Sequence, residues 1–211
     1  RAAWILKNAT EAAPDHPYLI RKQIKPHGAK QYKNALVVPV IGKDGEITSI
    51  QFIAGDGSKR FLGGGTVAGG SWTIPGSDEQ ILCEGYATAA SIHEATGATV
   101  RIAFNAGNLL KVAEPGWTIA GDNDAFTKTK HGDPWNPGRE KALAAAWQHN
   151  CRVVLPTFPP DTGKGFTDFN DLATLENLAT VADQIDGAVL PQDYLLNELK
   201  TDPGAAYRKE H

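Results

Sequence analysis

Two periodicities divide the chain. Between residues 35 and 74, apolar residues come in short runs separated by turn dipeptides. Leu36–Ile41 and Ile47–Ala54 flank Lys43-Asp44-Gly45, the spacing of a β-hairpin closed by Asp-Gly. Gly55-Asp56-Gly57 predicts a second turn and Lys59–Leu62 a third short strand. Gly63-Gly64-Gly65 and Ala68-Gly69-Gly70 read as loops, and Pro75-Gly76-Ser77 as a boundary. Ahead of this section, residues 1–16 read as the end of a helix running into Ala13-Pro14-Asp15-His16-Pro17.

Beyond residue 78 the period changes. Gln80–Cys83, Thr99–Phe104, Trp117–Ala120 and Cys151–Leu155 are strand-length apolar runs. Helical patterns separate them: Tyr86–Thr96, stopped by Gly97, then Asn108–Ala113, then Arg139–His149 with Ala142, Leu143, Ala145, Ala146 and Trp147 on its packing side. Asp171–Ala182 is expected to be one further helix. Alternation at this spacing predicts an α/β fold, a parallel sheet with helices on both faces, preceded by a smaller α+β subdomain rich in antiparallel strands. The expected divisions are 1–77, 78–186, and a helix and tail over 187–211, which ends Tyr207-Arg-Lys-Glu-His.

Composition narrows the class. A 211-residue chain with 41% hydrophobic and 21% charged residues is ordinary for a globular protein. Stretches such as Ala35–Ile41 and Cys151–Pro156 are too short to span a bilayer, so no membrane association and a cytoplasmic location are expected. Cys83 and Cys151 sit in apolar runs and read as buried, reduced thiols. The chain has no methionine and opens on Arg1, which is expected of an interior piece of a longer protein or of a chain that has lost its leading residues. Net charge is −3, yet no acid occurs between His16 and Lys43 while Arg21, Lys22, Lys25, Lys30, Lys33 and Lys43 all fall there. Acids gather instead around Asp122–Asp133 and Asp161–Asp186.

In parallel α/β sheets, functional groups collect at the carboxyl ends of strands. Here the first strand ends in Glu84-Gly85, the second in Asn105-Ala106-Gly107, and the third in Gly121-Asp122-Asn123-Asp124. The fourth leads through a Pro-rich loop to Asp161, Lys164 and Thr167-Asp168-Phe169-Asn170-Asp171. Carboxylates converging on one edge repel one another unless cations lie between them, and an all-oxygen donor set favours Mg2+ or Mn2+ over Zn2+. Each piece has a plainer explanation: Asp122-Asn123-Asp124 as a cap, Asp168–Asp171 as the cap of the last helix, Glu84 as an exposed turn acid.

An acid-Gly pair after a first strand, with Asp-x-Asp after a later one, resembles the Toprim domain of primases, topoisomerases and related nucleases. Glu84-Gly85-Tyr86-Ala87-Thr88-Ala89 is similar to the EGYATG signature of plasmid conjugation primases of the TraC and Sog type and of satellite-phage alpha primases. Ala89 stands where that signature has glycine, and Thr88 where primases of the DnaG type usually carry an acid. The Toprim resemblance covers about 78–185. The β-rich section from Tyr18 to Ile74 resembles the subdomain that precedes Toprim in primase cores.

The resemblance implies synthesis of short RNA primers on single-stranded DNA from ribonucleoside triphosphates, in plasmid or phage replication or conjugation. Asp122 and Asp124 would ligate Mg2+ or Mn2+ with Asp168 or Asp171 as the later acid, and Glu84 would be a metal ligand or the general base. Gly85, Lys59 and Arg60 would suit the nucleotide. Arg21, Lys22, Lys25, Lys30, Lys33, Lys128 and Lys130 would suit the DNA backbone, with Tyr32 and Trp72 as stacking candidates. A helicase domain or protein is a further implied partner. The same acids also serve two other readings: a Toprim-type metal-dependent nuclease, and a non-catalytic module binding single-stranded DNA or a helicase.

Overall fold

The structure, a computed structural model, describes residues 1–163 and 165–201; Lys164 and the expected tail over 202–211 lie outside the described residues. In chain order the first section comprises α1 (Ala2–Lys7), β1 (Thr10–Glu11), α2 (Pro17–Lys22), β2 (Lys30–Tyr32), β3 (Ala35–Ile41), β4 (Ile47–Ala54) and β5 (Lys59–Phe61). The five strands form one antiparallel sheet in sequence order. The expected hairpin is β3–β4, with Leu36 opposite Ile53 and a bulge between Val40 and Ile41. α2 interrupts the segment read as β-rich: Pro17 opens it at a position where the missing N–H costs nothing, and His16 Nδ1 accepts the Tyr18 N–H.

The second section comprises β6 (Trp72–Ile74), β7 (Ser77–Cys83), α3 (Tyr86–Thr96), β8 (Ala98–Ile102), α4 (Ala106–Val112), β9 (Thr118–Ala120), α5 (Pro137–His149), β10 (Arg152–Val154), α6 (Phe169–Leu175), α7 (Leu178–Asp186) and α8 (Pro191–Thr201). Its sheet order is β10-β9-β7-β8-β6; the first four are parallel and β6 runs antiparallel on the edge. The mixed α/β class is as expected. β7 shows why both faces are covered: Ile81 and Cys83 pack towards α3, α6 and α7, whereas Leu82 packs towards α4 and α5. Leu36, Val38, Val40 and Ile53 of the first sheet join the same core as Ile81 and Tyr86, so the two sheets share a continuous interior.

Two expectations need correction. Asp171–Ala182 is not one helix: the chain breaks after Leu175, and Asn177 restarts it as α7 by accepting the Thr180 N–H at 2.9 Å. Trp147 does not pack: Ala142, Ala145 and Ala146 define the buried stripe of α5, and Trp147 falls off it at 63% exposure. Cys83 and Cys151 are buried and unpaired. Among the described residues, no helix is long and apolar enough to cross a membrane.

Candidate active site

β7 lies between β8 and β9, and Cys83 is in register with Ala120. The next residues of both strands therefore leave the sheet side by side, carrying Glu84 and Gly121-Asp122. The Phe104 N–H donates to the Glu84 carbonyl at 2.8 Å, tying the end of β8 to the same edge.

Asp122 is half-buried just beyond the end of β9. Its Oδ1 is buried without a hydrogen-bond partner. Burial pushes its carboxyl well above the ordinary range, reinforced by the charges of Glu84, Asp168 and Asp124 and opposed by Lys59. Glu84 is raised by burial and by Asp124, against the pull of Lys59 and a hydrogen bond from the Ala106 N–H. Asp168 is raised by burial and by Asp171. These mutual repulsions put Glu84, Asp122, Asp124 and Asp168 in one electrostatic neighbourhood, as their strand-end positions predict.

The Asp-x-Asp loop is held by residues to which sequence reasoning assigned no role. Asn123 donates to the Pro156 carbonyl at 3.0 Å and its N–H to the Thr167 carbonyl at 2.7 Å, joining the ends of β9 and β10. Asn136 caps α5, accepts the Asp124 N–H at 2.9 Å and donates to Asn123 Oδ1 at 2.8 Å. Asp124 Oδ2 accepts the Gly138 N–H at 3.0 Å, which gives the carboxylate the positive end of α5. The available signal was Asn136-Pro137, a cap followed by proline at N1.

Asp168 and Asp171 divide differently. They form the capping box of α6, with Asp168 Oδ1 accepting the Asp171 N–H at 2.8 Å. Asp168 Oδ2 accepts from the Thr88 hydroxyl at 3.1 Å and faces the cluster. Asp171 is committed elsewhere: Oδ2 accepts the Thr167 N–H at 2.9 Å, and Oδ1 pairs with Lys22 at 3.2 Å. Asp161 is exposed in the Pro-rich loop.

Lys59 arrives from the other sheet. Its Nζ would lie 4.0 Å from a Cβ built on Gly85, so it stands directly over the Glu84-Gly85 turn. Gly85 is the N-cap of α3 and supplies no side-chain cap, which leaves first-turn N–H groups beside that ammonium. Arg60 does not join it. Strand alternation turns its guanidinium to the opposite face of β5, 4.8 Å from the Phe52 ring centroid.

The basic residues expected on DNA are dispersed. Arg21 donates to the Gly55 carbonyl at 2.9 Å, and Lys22 bridges α2 to α6 through Asp171. Lys25 is exposed; Lys30 lies 3.7 Å from exposed Glu11. Lys128 and Lys130 lie on a hairpin rooted in the Asp-x-Asp loop, where Lys128 bridges Pro134. Trp72 is half-buried against Tyr86, at 6.2 Å between centroids, and belongs to the core rather than to a stacking surface.

Among the described residues, no three His, Cys, Asp or Glu side chains stand close enough to enclose a single ion. The chemistry nevertheless fits one. An orphaned buried carboxylate oxygen, surrounded by like charges, is a donor short of a positive partner.

Residues 79–178 match the family model of the Toprim domain. The chain contains a Toprim domain. Glu84, Asp122, Asp124, Asp168 and Asp171 all lie within it, whereas Lys59 reaches it from outside. The chain is similar to a DNA primase TraC of Escherichia coli, 34% identical over 166 residues, covering 68% of this chain and 11% of that protein. A second Escherichia coli DNA primase TraC is 34% identical over 161 residues, covering 68% of this chain and 15% of its own length. The chain thus spans 11% and 15% of the curated relatives it matches.

Solved structures share the fold. The primase fragment of the bacteriophage T7 primase-helicase protein superposes with a TM-score of 0.53 at 14% identity, over 84% of this chain and 75% of that one. The DnaG primase catalytic domain bound to single-stranded DNA gives 0.52 at 13% identity, over 79% and 55%. The RNA polymerase domain of Mycobacterium tuberculosis primase DnaG gives 0.50 at 12% identity, over 92% and 69%. Coverage of this breadth takes in the first sheet as well as the Toprim domain.

Proposed function

We propose that this chain is the catalytic core of a DNA primase, making short RNA primers on single-stranded DNA by nucleotidyl transfer. The observation that carries the reading is the meeting of the Toprim acids with Lys59 of the first sheet over the Glu84-Gly85 turn. A first sheet packed on a Toprim domain, over a span similar in sequence to TraC primases, favours polymerisation over simple hydrolysis. We take residues 1–77 as the subdomain preceding the Toprim unit, 78–186 as that unit, and 187–211 as a helix and tail.

In this reading Asp122, Asp124 and Asp168 hold Mg2+ or Mn2+, with Glu84 as a further ligand or as the base that accepts the proton of the attacking 3′-hydroxyl. Such an ion, when bound, neutralises phosphate charge and favours the alkoxide form of the attacking hydroxyl. Lys59 and the uncapped first turn of α3 suit the triphosphate of a ribonucleotide, since N–H groups and an ammonium converge there. Asp171 supports Asp168 through the capping box and holds α2 against α6 through Lys22. Lys25, Lys30, Lys128 and Lys130 suit the template backbone, a contact independent of sequence. A helicase domain or protein fits the same reading as partner.

The test is incubation with single-stranded DNA, labelled ribonucleotides and Mg2+ or Mn2+, with wild type beside Asp122→Asn. Metal-dependent labelled oligoribonucleotides from wild type, lost in the variant, are the expected result. Shortened template without labelled product would reassign the acids to hydrolysis. Template binding without any chemistry would leave a non-catalytic module.

A further inference from the structure

The first turn of α5 lies against the acidic centre, and α8 grips that turn. Asn136 Oδ1 accepts both the Asp124 N–H at 2.9 Å and the Arg139 N–H at 3.1 Å, so loop and helix share one acceptor. Asp124 Oδ2 accepts the Gly138 N–H at 3.0 Å. The Gly138 backbone lies so close to the loop that a Cβ there would stand 2.4 Å from the Asp122 carbonyl oxygen. A first turn packed this tightly either carries Asp124 with it when it moves or breaks these bonds.

The Arg139 side chain meets α8. Its Nε donates to Glu198 Oε1 at 2.8 Å and its Nη2 pairs with Oε2, a bidentate geometry that fixes orientation as well as distance. The guanidinium lies 5.9 Å from the Tyr194 ring centroid, and the arginine side chain is only 13% exposed. Loss of Glu198 would leave that shielded cation unpaired. α8 is anchored ahead of its start as well: Val189 exchanges backbone bonds with Val153 of β10 at 2.7 and 3.2 Å. Leu196 and Leu199 are exposed, so little apolar burial competes with the ion pair in setting where the last turns of α8 sit. An ion pair serving only to hold α8 could sit anywhere along α5. This one falls on the residue next to the N–H that binds Asp124.

We infer that Glu198 is a positioning residue for the acidic centre, acting through Arg139: the pair fixes the first turn of α5, and that turn fixes the Asp124 carboxylate. The consequence for metal affinity rests on the reading of Asp124 as a ligand of Mg2+ or Mn2+. The placement of Asp124 does not.

Two measurements on the full chain test this, and neither uses catalysis. In EDTA, amide hydrogen exchange at Asp124 and Gly138 is expected to be about tenfold faster in Glu198→Gln than in wild type, with Gly97 at the end of α3 unchanged. Titration with Mn2+, followed by electron paramagnetic resonance, is expected to show binding about tenfold weaker, as for loss of a group that orients a metal ligand. Glu140→Gln removes the same charge from the same turn of α5, from an exposed side chain bonded to Trp135, and is expected to alter neither readout. Adding Glu198→Gln to Arg139→Gln is expected to have no further effect, since Glu198 acts through Arg139.

A lower melting temperature with exchange and Mn2+ affinity both unchanged overturns the inference, because the pair then holds α8 alone. So does an effect of Glu140→Gln as large as that of Glu198→Gln, which would reduce it to long-range charge. If wild type binds no Mn2+, the metal reading of the acids fails, and the exchange rates still decide the placement of Asp124. If Glu198→Gln does not fold, Glu198→Asp keeps the charge, shortens the reach by one methylene, and is expected to give smaller changes of the same sign.

Discussion

Gly138→Ala sets two contributions of opposite sign against each other. At the second position of α5, replacing glycine by alanine ordinarily stabilises a helix by up to about 1 kcal/mol. Here the added Cβ would lie 2.4 Å from the Asp122 carbonyl oxygen and 2.9 Å from Asp124 Oδ2. Ordinary contact begins at 3.4 Å, so α5 and the Asp-x-Asp loop must separate by 3.4 − 2.4, about 1 Å. Overpacking of this kind costs roughly 1–3 kcal/mol, so the net effect runs from about zero to a loss of about 3 kcal/mol, a fall in melting temperature of up to about 12 °C. A displacement of about 1 Å in a group that positions the reacting atoms lowers catalysis by roughly a hundredfold.

The assay is a thermal melt beside primer synthesis, with Gly107→Ala as control. Gly107 occupies the equivalent position of α4, and its Cβ would meet only Asn105 Oδ1, at 3.4 Å. That variant is expected to melt at or slightly above wild type. Gly138→Ala melting as high as wild type with normal synthesis would refute the claim that the helix end presses on the acidic loop.

Glu84, Asp122 and Asp168 all have raised carboxyls, so the metal-free folded protein holds protons that the unfolded chain, with pKa values of about 4, has released. Their contribution is therefore fully present below about pH 4 and lost as pH rises through the raised values. Asp122→Asn removes one contributor: in EDTA its urea midpoint is expected to exceed that of wild type at pH 8, and the gap to close towards pH 5. A gap independent of pH would contradict this. Asp171→Asn is expected to keep primer synthesis within about tenfold while melting lower by about 1 kcal/mol, because its oxygens serve the cap and Lys22. Asp168→Asn is expected to lose more than a hundredfold, read in the same assay. Asn108 is buried, accepting the Gly69 N–H and donating to the Gly70 and Ala103 carbonyls. Asn108→Ala is expected to cost about 2–4 kcal/mol and to expose the 63–70 loop to proteinase K.

Much of the fold was legible because it rests on local rules. The Asp-Gly hairpin, the strand–helix alternation and the stop at Gly97, with φ of 73°, each follow from residues close in sequence. The errors fall where two local signals compete. Glu176 and Asn177 sit inside a helical pattern, but the Asn177 side chain offers a new cap and splits it. Trp147 looks apolar enough to pack, but the smaller alanines of α5 already fill the interface with α4.

That acids close successive strands follows from local pattern, because parallel strands between helices expose their carboxyl ends together. Which of those acids meet depends on how the strands are ordered in the sheet. Placing β9 beside β7 sets Asp122 next to Glu84, and the cap of α6 turns Asp168 inward while Lys22 holds Asp171 aside. The tertiary structure also separates Lys59 from Arg60, neighbours in sequence that one step of strand pleat sends to opposite faces, one to the acids and one to the Phe52 ring. These choices depend on contacts between residues dozens of positions apart, and no local pattern encodes them.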